Sequence, residues 1–238
     1  SLGADFCEIY SDVDGVFTAD PRIVPGACRI PEISYEEMLE MAAQGAKILH
    51  LRCVEYARRE NVPVHVRSSF STKPGTWVKD IEVKEGTAME QPLITGVAHD
   101  RSESKITVVW VPDRVGAAAE VFTAVAEAGV NIDMIVQNQS IANDNTAITF
   151  TLPGGDKVKA LDALHGARER IGFAEILYDD AIGKVSVIGV GMRSHPGVSA
   201  TFFRALAETG INIQMISTSE IRISVVVGAD DVDAAVRA

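Results

Sequence analysis

The stretch GAAAEVFTAVAEAGVNIDMI, residues 116–135, decides the fold, because its pattern returns as GVSATFFRALAETGINIQMI at residues 197–216. The two stretches are identical at 11 of 20 positions and are offset by 81 residues. A period of this length encloses a whole small domain, and two copies are too few for a solenoid. The chain therefore contains two copies of one domain.

Each copy predicts the same order of strands and helices. In the first copy, strands over 106–111, 132–138 and 146–151, helices over 116–128 and 156–171, and a last strand over 174–178 give βαββαβ, the ferredoxin-like arrangement. The second copy predicts strands over 185–190, 213–219 and 221–227, a helix over 197–208 and a helix after Asp230. We expect this second domain to be truncated, because no final strand follows.

The first 88 residues differ from the two repeats in the order of their predicted strands and helices. A strand over 6–10 precedes a turn-rich segment, and Ser34 with Glu37 forms a capping-box signature that opens a helix through Ala43. A second helix over 47–60 and a strand over 63–67 follow. This order predicts the end of an α/β domain, and the polar segment 70–91 leads out of it.

Composition excludes several functional classes. The net charge of −11 argues against a nucleic-acid or membrane surface as the main partner. Cys7, Cys28 and Cys53 have no CxxC spacing, so neither a disulfide framework nor a zinc site is expected, and a cytoplasmic protein is favoured. No apolar run reaches the length of a membrane span. The chain lacks an initial Met and stops within a predicted helix, so we expect both ends to be cut.

The repeated turns suggest a site for an amino acid. Helix-start amides after residues 112–116 and 194–197 suit a carboxylate, and the Asn of each GxNI offers both a donor and an acceptor. We expect both groups at one edge of the sheet. Alternatively, Gly116 and Gly197 only serve the turn, and Gly129 and Gly210 only end the helix. Their joint repetition favours a ligand site.

Two interpretations, a nucleotide site and simple turn capping, remain open near the start of the chain. Ser11 and Asp12 follow a strand and suit hydrogen bonding to a nucleotide base or ribose at the carboxyl end of a sheet. Asp14 and Asp20 fit that site or simple turn capping equally well.

The paired pattern, with SHPGVSA at 194–200 and ISTSEIRISV at 216–225, resembles the ACT domains at the C-terminus of aspartate kinases. Residues 8–27, 36–52 and 62–70 are similar to the nucleotide-binding end of the amino-acid-kinase domain in that family. The resemblance covers essentially the whole chain and follows the actinobacterial type, in which a regulatory subunit begins at an alternative start near Met89.

The fold implied is the C-terminal part of an α/β amino-acid-kinase sandwich followed by two ferredoxin-like ACT domains. The implied boundaries are 1–88 for the kinase part, 89–180 for the first ACT domain with a lead-in strand, and 181–238 for the second, truncated ACT domain.

The resemblance also implies binding residues for ATP, Mg²⁺ and feedback effectors. The nucleotide residues would be Ser11, Asp12, Phe17, Thr18, Ala19, Asp20, Pro21, Arg22 and Lys47. Lys47 would approach the phosphates, although a plain surface lysine is the alternative. Lysine or threonine would bind where ACT domains of two subunits pair, through Asp113, Gly116, Ala117, Ala118, Asn131, Ile132, Asp133, Gln137, Asn212, Ile213, Ser219 and Glu220.

Within that effector set, Asp133 or Glu220 would pair with an ammonium group, unless both are solvated surface acids. Gln214 stands where the first copy has Asp133, so the two sites should not be equivalent. Arg114-Val115-Gly116 departs from the family's Lys-Pro-Gly, which leaves the preferred effector open.

The expected function is aspartate kinase, which makes 4-phospho-L-aspartate and ADP from ATP and L-aspartate at the entry to lysine, threonine, methionine and diaminopimelate synthesis. The family's Lys-x-Gly-Gly phosphate loop and aspartate-binding residues are absent, so the chain holds no complete catalytic set and we expect it to be inactive alone. A non-catalytic regulatory subunit or amino-acid sensor, forming homo- or hetero-oligomers through its ACT domains, is the alternative. A purely structural dimerisation module is a third class.

Overall fold

The computed structural model describes residues 3–81, 93–139, 145–195 and 197–238. Met89, the expected start of a regulatory subunit, lies outside these residues. The chain divides into two compact units, which are described separately. The first contains Ser1–Asp100, Lys184–Val227 and Asp231–Ala238, and the second contains Arg101–Gly183 and Gly228–Asp230.

The kinase-like part of the first unit is an α/β layer. Its elements are β1 (Cys7–Ser11), β2 (Glu32–Ile33), α1 (Tyr35–Ala43), α2 (Leu51–Arg59), β3 (Val64–Ser68) and β4 (Thr76–Val78). The sheet order is β1-β3-β4-β2, with β1 and β3 parallel. β4 lies within the segment expected only to lead out of the domain.

The capping prediction for α1 is confirmed. Ser34 Oγ accepts a hydrogen bond from Glu37 N at 3.2 Å, and the Glu37 carboxylate accepts one from Ser34 N at 3.3 Å. The second helix begins at Leu51 rather than Lys47, because His50 is its N-cap and accepts from Arg52 N through Nδ1.

The second unit is the first repeat. Its elements, following β5 (Gly96–Asp100) in the chain, are β6 (Glu103–Pro112), α3 (Ala117–Glu127), β7 (Ile135–Gln139), β8 (Asn145–Pro153), α4 (Lys157–Gly166), α5 (Arg168–Ile171) and β9 (Glu175–Asp179). The antiparallel sheet has the order β7-β8-β6-β9, which confirms the ferredoxin-like prediction. The helix expected over 156–171 is divided at Ala167, where ψ is 1°.

The second repeat contains β10 (Ile182–Ile188), α6 (Val198–Glu208), β11 (Met215–Thr218), β12 (Arg222–Gly228) and α7 (Val232–Arg237). Its sheet order is β11-β12-β10-β5, and β5 pairs antiparallel with β10 from Gly96 opposite Ile188 to Asp100 opposite Lys184. β5 thus occupies the place that β9 has in the first repeat.

This pairing corrects the expected boundaries 89–180 and 181–238. The strand assigned to the first ACT domain belongs to the second, which therefore does not lack a fourth strand. The edge of β10 needs a hydrogen-bonding partner, and β5 supplies it. In the sequence, β5 precedes the first repeat and β10 follows it. Lys184 is only 1% exposed opposite Asp100, so the pairing is buried.

Within the part of the chain that the structure describes, no helix has the length and apolar character to cross a membrane.

Candidate nucleotide and effector sites

Ser11 and Asp12 lie where two parallel strands end together. Ser11 ends β1 opposite Ser68, the last residue of β3, and the Ser11 carbonyl accepts a hydrogen bond from Ser69 N at 2.8 Å. Ser11 Oγ accepts from Val13 N at 3.2 Å, and Asp12 is exposed. Ligands of open α/β sheets bind at such carboxyl edges, so the position predicted for a nucleotide is suitable.

A loop over residues 17–29 follows this edge. Phe17 forms an antiparallel bridge with Arg29, and Thr18 N donates to the Cys28 carbonyl at 2.9 Å, so these residues form the stem. At the tip, the Asp20 carboxylate accepts from Arg22 N at 2.9 Å and from the Arg22 guanidinium at 2.7 Å. These bonds lower the pKa of Asp20 and raise that of Arg22. Arg22 is 88% exposed and presents a cationic group to solvent.

These bonds fit the turn-capping interpretation of Asp20, whose place in a nucleotide site stays a prediction, and Asp14 has a structural role of the same kind. Its carboxylate accepts hydrogen bonds from Ser71 Oγ at 2.6 Å and from Lys73 Nζ at 2.7 Å. These bonds hold the pKa of Asp14 below its ordinary value. They join the loop after β1 to the loop after β3 at the same sheet edge.

Lys47 lies in the connection between α1 and α2, with an exposed side chain. No hydrogen bond or ion pair joins it to the described residues. Its approach to the phosphates of a nucleotide remains a prediction.

The effector residues of the first repeat form two groups separated by α3. Asp113, Gly116, Ala117 and Ala118 surround its N-terminus, whereas Asn131–Asp133 follow its C-terminus. α3 has 11 residues, so the groups are about 16 Å apart along its axis. The expectation that both groups share one edge of the sheet is wrong. Gln137 lies on the edge strand β7, opposite Ile148 of β8.

The four repeated glycines adopt left-handed backbone conformations. Gly116 and Gly197 are N-caps with φ of 92° and 101°, and Gly129 and Gly210 follow the helices with φ of 71° and 75°. A Cβ at any of the four would contact nothing within 4 Å. Left-handed φ values, rather than close packing, require these glycines.

Arg114 closes the turn before α3. Its guanidinium makes two hydrogen bonds to the Glu120 carboxylate, at 2.9 and 2.8 Å. The pairing lowers the pKa of Glu120 and raises that of Arg114. An ion pair therefore occupies the turn where the family pattern has Lys-Pro-Gly.

Asn212 and Ile213 follow the C-terminus of α6, and Ser219 and Glu220 form the turn between β11 and β12. Glu220 is 79% exposed and pairs with Arg193 at 3.1 Å. Arg193 also lies 3.6 Å from Glu36, which pairs with Arg58 at 3.2 Å.

This alternating row of charges lines a cleft of about 850 Å³ between the β11–β12 turn and the helices α1 and α2. Neither Arg193 nor its pairing was foreseen, because no local pattern marks an arginine whose partners are distant in sequence.

Glu37 has a second role that its capping signature does not reveal. It is 4% exposed, and its other carboxylate oxygen accepts from Thr95 Oγ1 at 2.5 Å and Val190 N at 3.2 Å. A buried carboxylate thus joins α1 to the two segments that flank the β5–β10 pair.

Comparisons with known proteins agree with this division of the chain. The family model described as ACT domain matches residues 101–167 and 185–238, and the model described as amino acid kinase family matches residues 1–68. An aspartokinase of Mycolicibacterium smegmatis is 62% identical, with 100% of this chain and 56% of that protein covered. The chain thus spans just over half the length of that relative.

Two solved structures extend the comparison. The regulatory subunit of aspartate kinase from Thermus thermophilus is 42% identical, and the match covers 61% of this chain and 95% of that subunit with a TM-score of 0.58. Aspartokinase III of E. coli is 28% identical, with 99% of this chain and 51% of that chain covered. Its TM-score is 0.82 in complex with aspartate and ADP and 0.73 in complex with lysine and aspartate.

Proposed function

The chain belongs to the aspartokinase family, and from that premise we propose that it forms the nucleotide-binding and amino-acid-sensing part of an aspartate kinase. The reaction of the complete enzyme would convert ATP and L-aspartate to 4-phospho-L-aspartate and ADP. The observation that carries this proposal is the combination of a nucleotide-type sheet edge and two ferredoxin-like ACT modules in one chain. E. coli aspartokinase III, which shares this fold, binds aspartate and ADP.

At the nucleotide site, Ser11 and Asp12 would hold the ribose or base, and the exposed guanidinium of Arg22 would bind a phosphate. Phosphoryl transfer depends mainly on positioning and on stabilisation of phosphate charge, and Lys47 would add a second cation. Aspartate would bind to the part of the family's kinase domain that this sequence does not contain.

Mg²⁺ would supply charge neutralisation between the phosphates. Among the described residues, no three His, Cys, Asp or Glu side chains converge on a metal position. Mg²⁺ is usually held by one or two carboxylates together with substrate phosphates. Of the three aspartates Asp12, Asp14 and Asp20, Asp12 is the candidate ligand, because Asp14 and Asp20 are engaged by Lys73 and Arg22.

We propose that the effector site is shared between two copies of the chain. One amino acid cannot reach both ends of α3, since about 16 Å separates them and the lysine side chain has only four methylenes. We infer that the amides near Gly116 bind the carboxylate of an effector whose other contacts come from the GxNI segment of a partner chain. Binding of lysine by E. coli aspartokinase III supports lysine as an effector, with threonine as the second candidate.

Asp133 is our candidate for the effector's ammonium group, because it directly follows Asn131 and Ile132 of the repeated GxNI segment. Glu220 pairs with Arg193 at 3.1 Å, so an ammonium group there would compete with this arginine. Asp133 is exposed, and the second repeat has Gln214 at the matching position.

Thermal unfolding of the whole chain tests the sensing role. At about 100 times Kd, a bound effector adds roughly 2.7 kcal/mol to stability, which corresponds to a rise of about 5–10 °C in Tm. We expect this rise with lysine or threonine. It should disappear in Asp133→Asn and persist in Glu220→Gln and in Asp162→Asn, a control at an exposed acid of α4. No rise with either amino acid would contradict the sensing role.

A regulatory subunit without nucleotide function is the second candidate. It is favoured by the match to the Thermus thermophilus regulatory subunit, of which this chain covers 95%. Calorimetric titration with ADP and Mg²⁺ separates the two. Binding that Arg22→Gln weakens supports the nucleotide site, whereas an effector-induced Tm rise without ADP binding supports the regulatory subunit.

A further inference from the structure

The loop over residues 17–29 has two faces with different surroundings. Arg22 points into solvent at the tip, whereas the next residue, Ile23, is only 8% exposed. Ile23 packs in the hydrophobic core of the second ACT module, with Val185, Phe202 and Leu206, and Ala19 and Val24 pack against the same core. The inner face of the proposed nucleotide loop is therefore part of the hydrophobic core of the second ACT module.

Two hydrogen bonds fix the loop backbone on either side of its tip. Val97 N of β5 donates to the Thr18 carbonyl at 2.8 Å, and Arg237 Nε of α7 donates to the Ile23 carbonyl at 3.0 Å. Both donors belong to the second ACT module. The Asp20–Arg22 pair lies between the two acceptors in the chain, so the module holds both ends of the segment that presents Arg22.

The contact at β5 is tight. A Cβ built on Gly96 would lie 3.2 Å from the Thr18 carbonyl oxygen and 3.0 Å from Met41 Cε. The strand that completes the second ACT sheet is therefore pressed against the stem of the loop, and a larger residue at position 96 would displace one of these groups.

We propose that Ile23 and Arg237 are positioning residues for the nucleotide, through which the second ACT module holds residues 17–22 in their nucleotide-binding conformation. This proposal rests on the nucleotide site proposed above and adds its regulation. A shift of α7 or β5 within the module moves the loop directly. By linkage, nucleotide binding and any ligand that shifts the module then alter each other's affinity by the same factor.

The test uses the whole chain with Arg237→Met, whose unbranched side chain reaches about as far as the arginine Nε but has no donor. Calorimetry measures the Kd of ADP with Mg²⁺, and hydrogen exchange measures protection of the loop amides, such as those of Ile23 and Val24, which donate to the Asp20 carbonyl. Arg237→Met should raise Kd by about three- to tenfold, as expected for the loss of one hydrogen bond. Exchange should accelerate over residues 17–24 but not in β1.

Two controls separate positioning from general stability. Arg237→Lys retains a donor and should restore both measurements, and Arg204→Met removes an exposed arginine of α6 in the same module and should change neither. If Arg237→Met unfolds, Ile23→Val and Gly96→Ala perturb other contacts between the same loop and the module more gently, and they should give the same pattern.

Unchanged ADP affinity and unchanged loop exchange in these variants would overturn the proposal. If the unmodified chain does not bind ADP, the nucleotide assignment itself is wrong. The exchange measurement then decides alone: no acceleration over residues 17–24 overturns the anchoring, and a localised acceleration that Arg237→Lys reverses supports it.

Discussion

Substitution of Gly45 by alanine tests the packing of β5 in the first unit. Gly45 has φ of 106°, and a Cβ there would lie 2.2 Å from the His99 carbonyl oxygen, a backbone atom of β5. The left-handed conformation costs alanine about 1–2 kcal/mol, and displacement of the strand adds about 1–3 kcal/mol. We expect Gly45→Ala to lower the free energy of unfolding by about 3–4 kcal/mol. Gly129→Ala is the matched control, because φ is 71° but no atom lies within 4 Å of the new Cβ.

The chain's two tryptophans allow each unit to be followed separately by urea unfolding. Trp77 lies in β4 of the first unit, and Trp110 lies in β6 of the second. In a Trp110→Phe background, Gly45→Ala should lower the urea midpoint reported by Trp77 by about 1.5–2 M, for an m-value of about 2 kcal/mol/M. In a Trp77→Phe background, the Trp110 transition should stay in place with Gly45→Ala and fall by about 0.5–1 M with Gly129→Ala.

Equal effects of Gly45→Ala and Gly129→Ala on their own units would refute this reasoning, since only φ would then matter. A fall confined to the Trp110 transition with Gly45→Ala would refute the assignment of β5 to the first unit.

Two further predictions concern buried and paired carboxylates. Glu37→Gln should lower the free energy of unfolding reported by Trp77 by about 1–3 kcal/mol, because the amide NH₂ must face a group that donates a hydrogen bond to the carboxylate. Glu36→Gln, at a partly exposed neighbour, is the control. Equal effects of the two substitutions would argue against a structural role of the buried Glu37 carboxylate. The pKa of Asp180 is lowered by hydrogen bonds from Lys157 and Ser104. Its contribution to the stability of the second unit is therefore present above the ordinary pKa of 3.8 and is lost as the pH falls below it. Urea midpoints of the Trp110 transition between pH 5 and pH 2.5 should fall less steeply in Asp180→Asn, and parallel curves would contradict the pairing.

Local signals in the sequence predicted many of the elements. The Ser34–Glu37 capping box fixed the start of α1, and the paired glycines placed the starts of α3 and α6 within one residue. These features depend on neighbours in the chain, so the sequence contains the information directly.

Non-local pairings were not predictable in the same way. β5 and β10 are separated by the entire first repeat, and nothing in GVAHD indicates which free edge it completes. The Arg193–Glu220 pair and the contacts of Ile23 with the second ACT module likewise join residues that are distant in sequence.

The separation of the two effector groups is implied by the sequence itself. The predicted helix over 116–128 already implied a large separation between Gly116 and Asn131, so the two groups could not bind one small molecule within a single repeat. The repeat pattern indicates shared chemistry, whereas the length of the helix places the two groups at opposite ends of it.

Mixing of two defective variants tests the shared effector site most directly. Ala118→Pro removes a backbone amide from the helix-start end, in the first turn of α3 where proline is tolerated. Asn131→Ala with Asn212→Ala impairs the GxNI end, so neither variant alone should bind lysine or threonine. In a mixed dimer, one of the two sites receives both intact ends. Calorimetry after unfolding and refolding the variants together should therefore recover binding at about a quarter of the unmodified stoichiometry, since about half of the dimers are mixed. Binding that stays absent in the mixture, while both variants remain folded and oligomeric, would contradict a site formed by two copies of the chain.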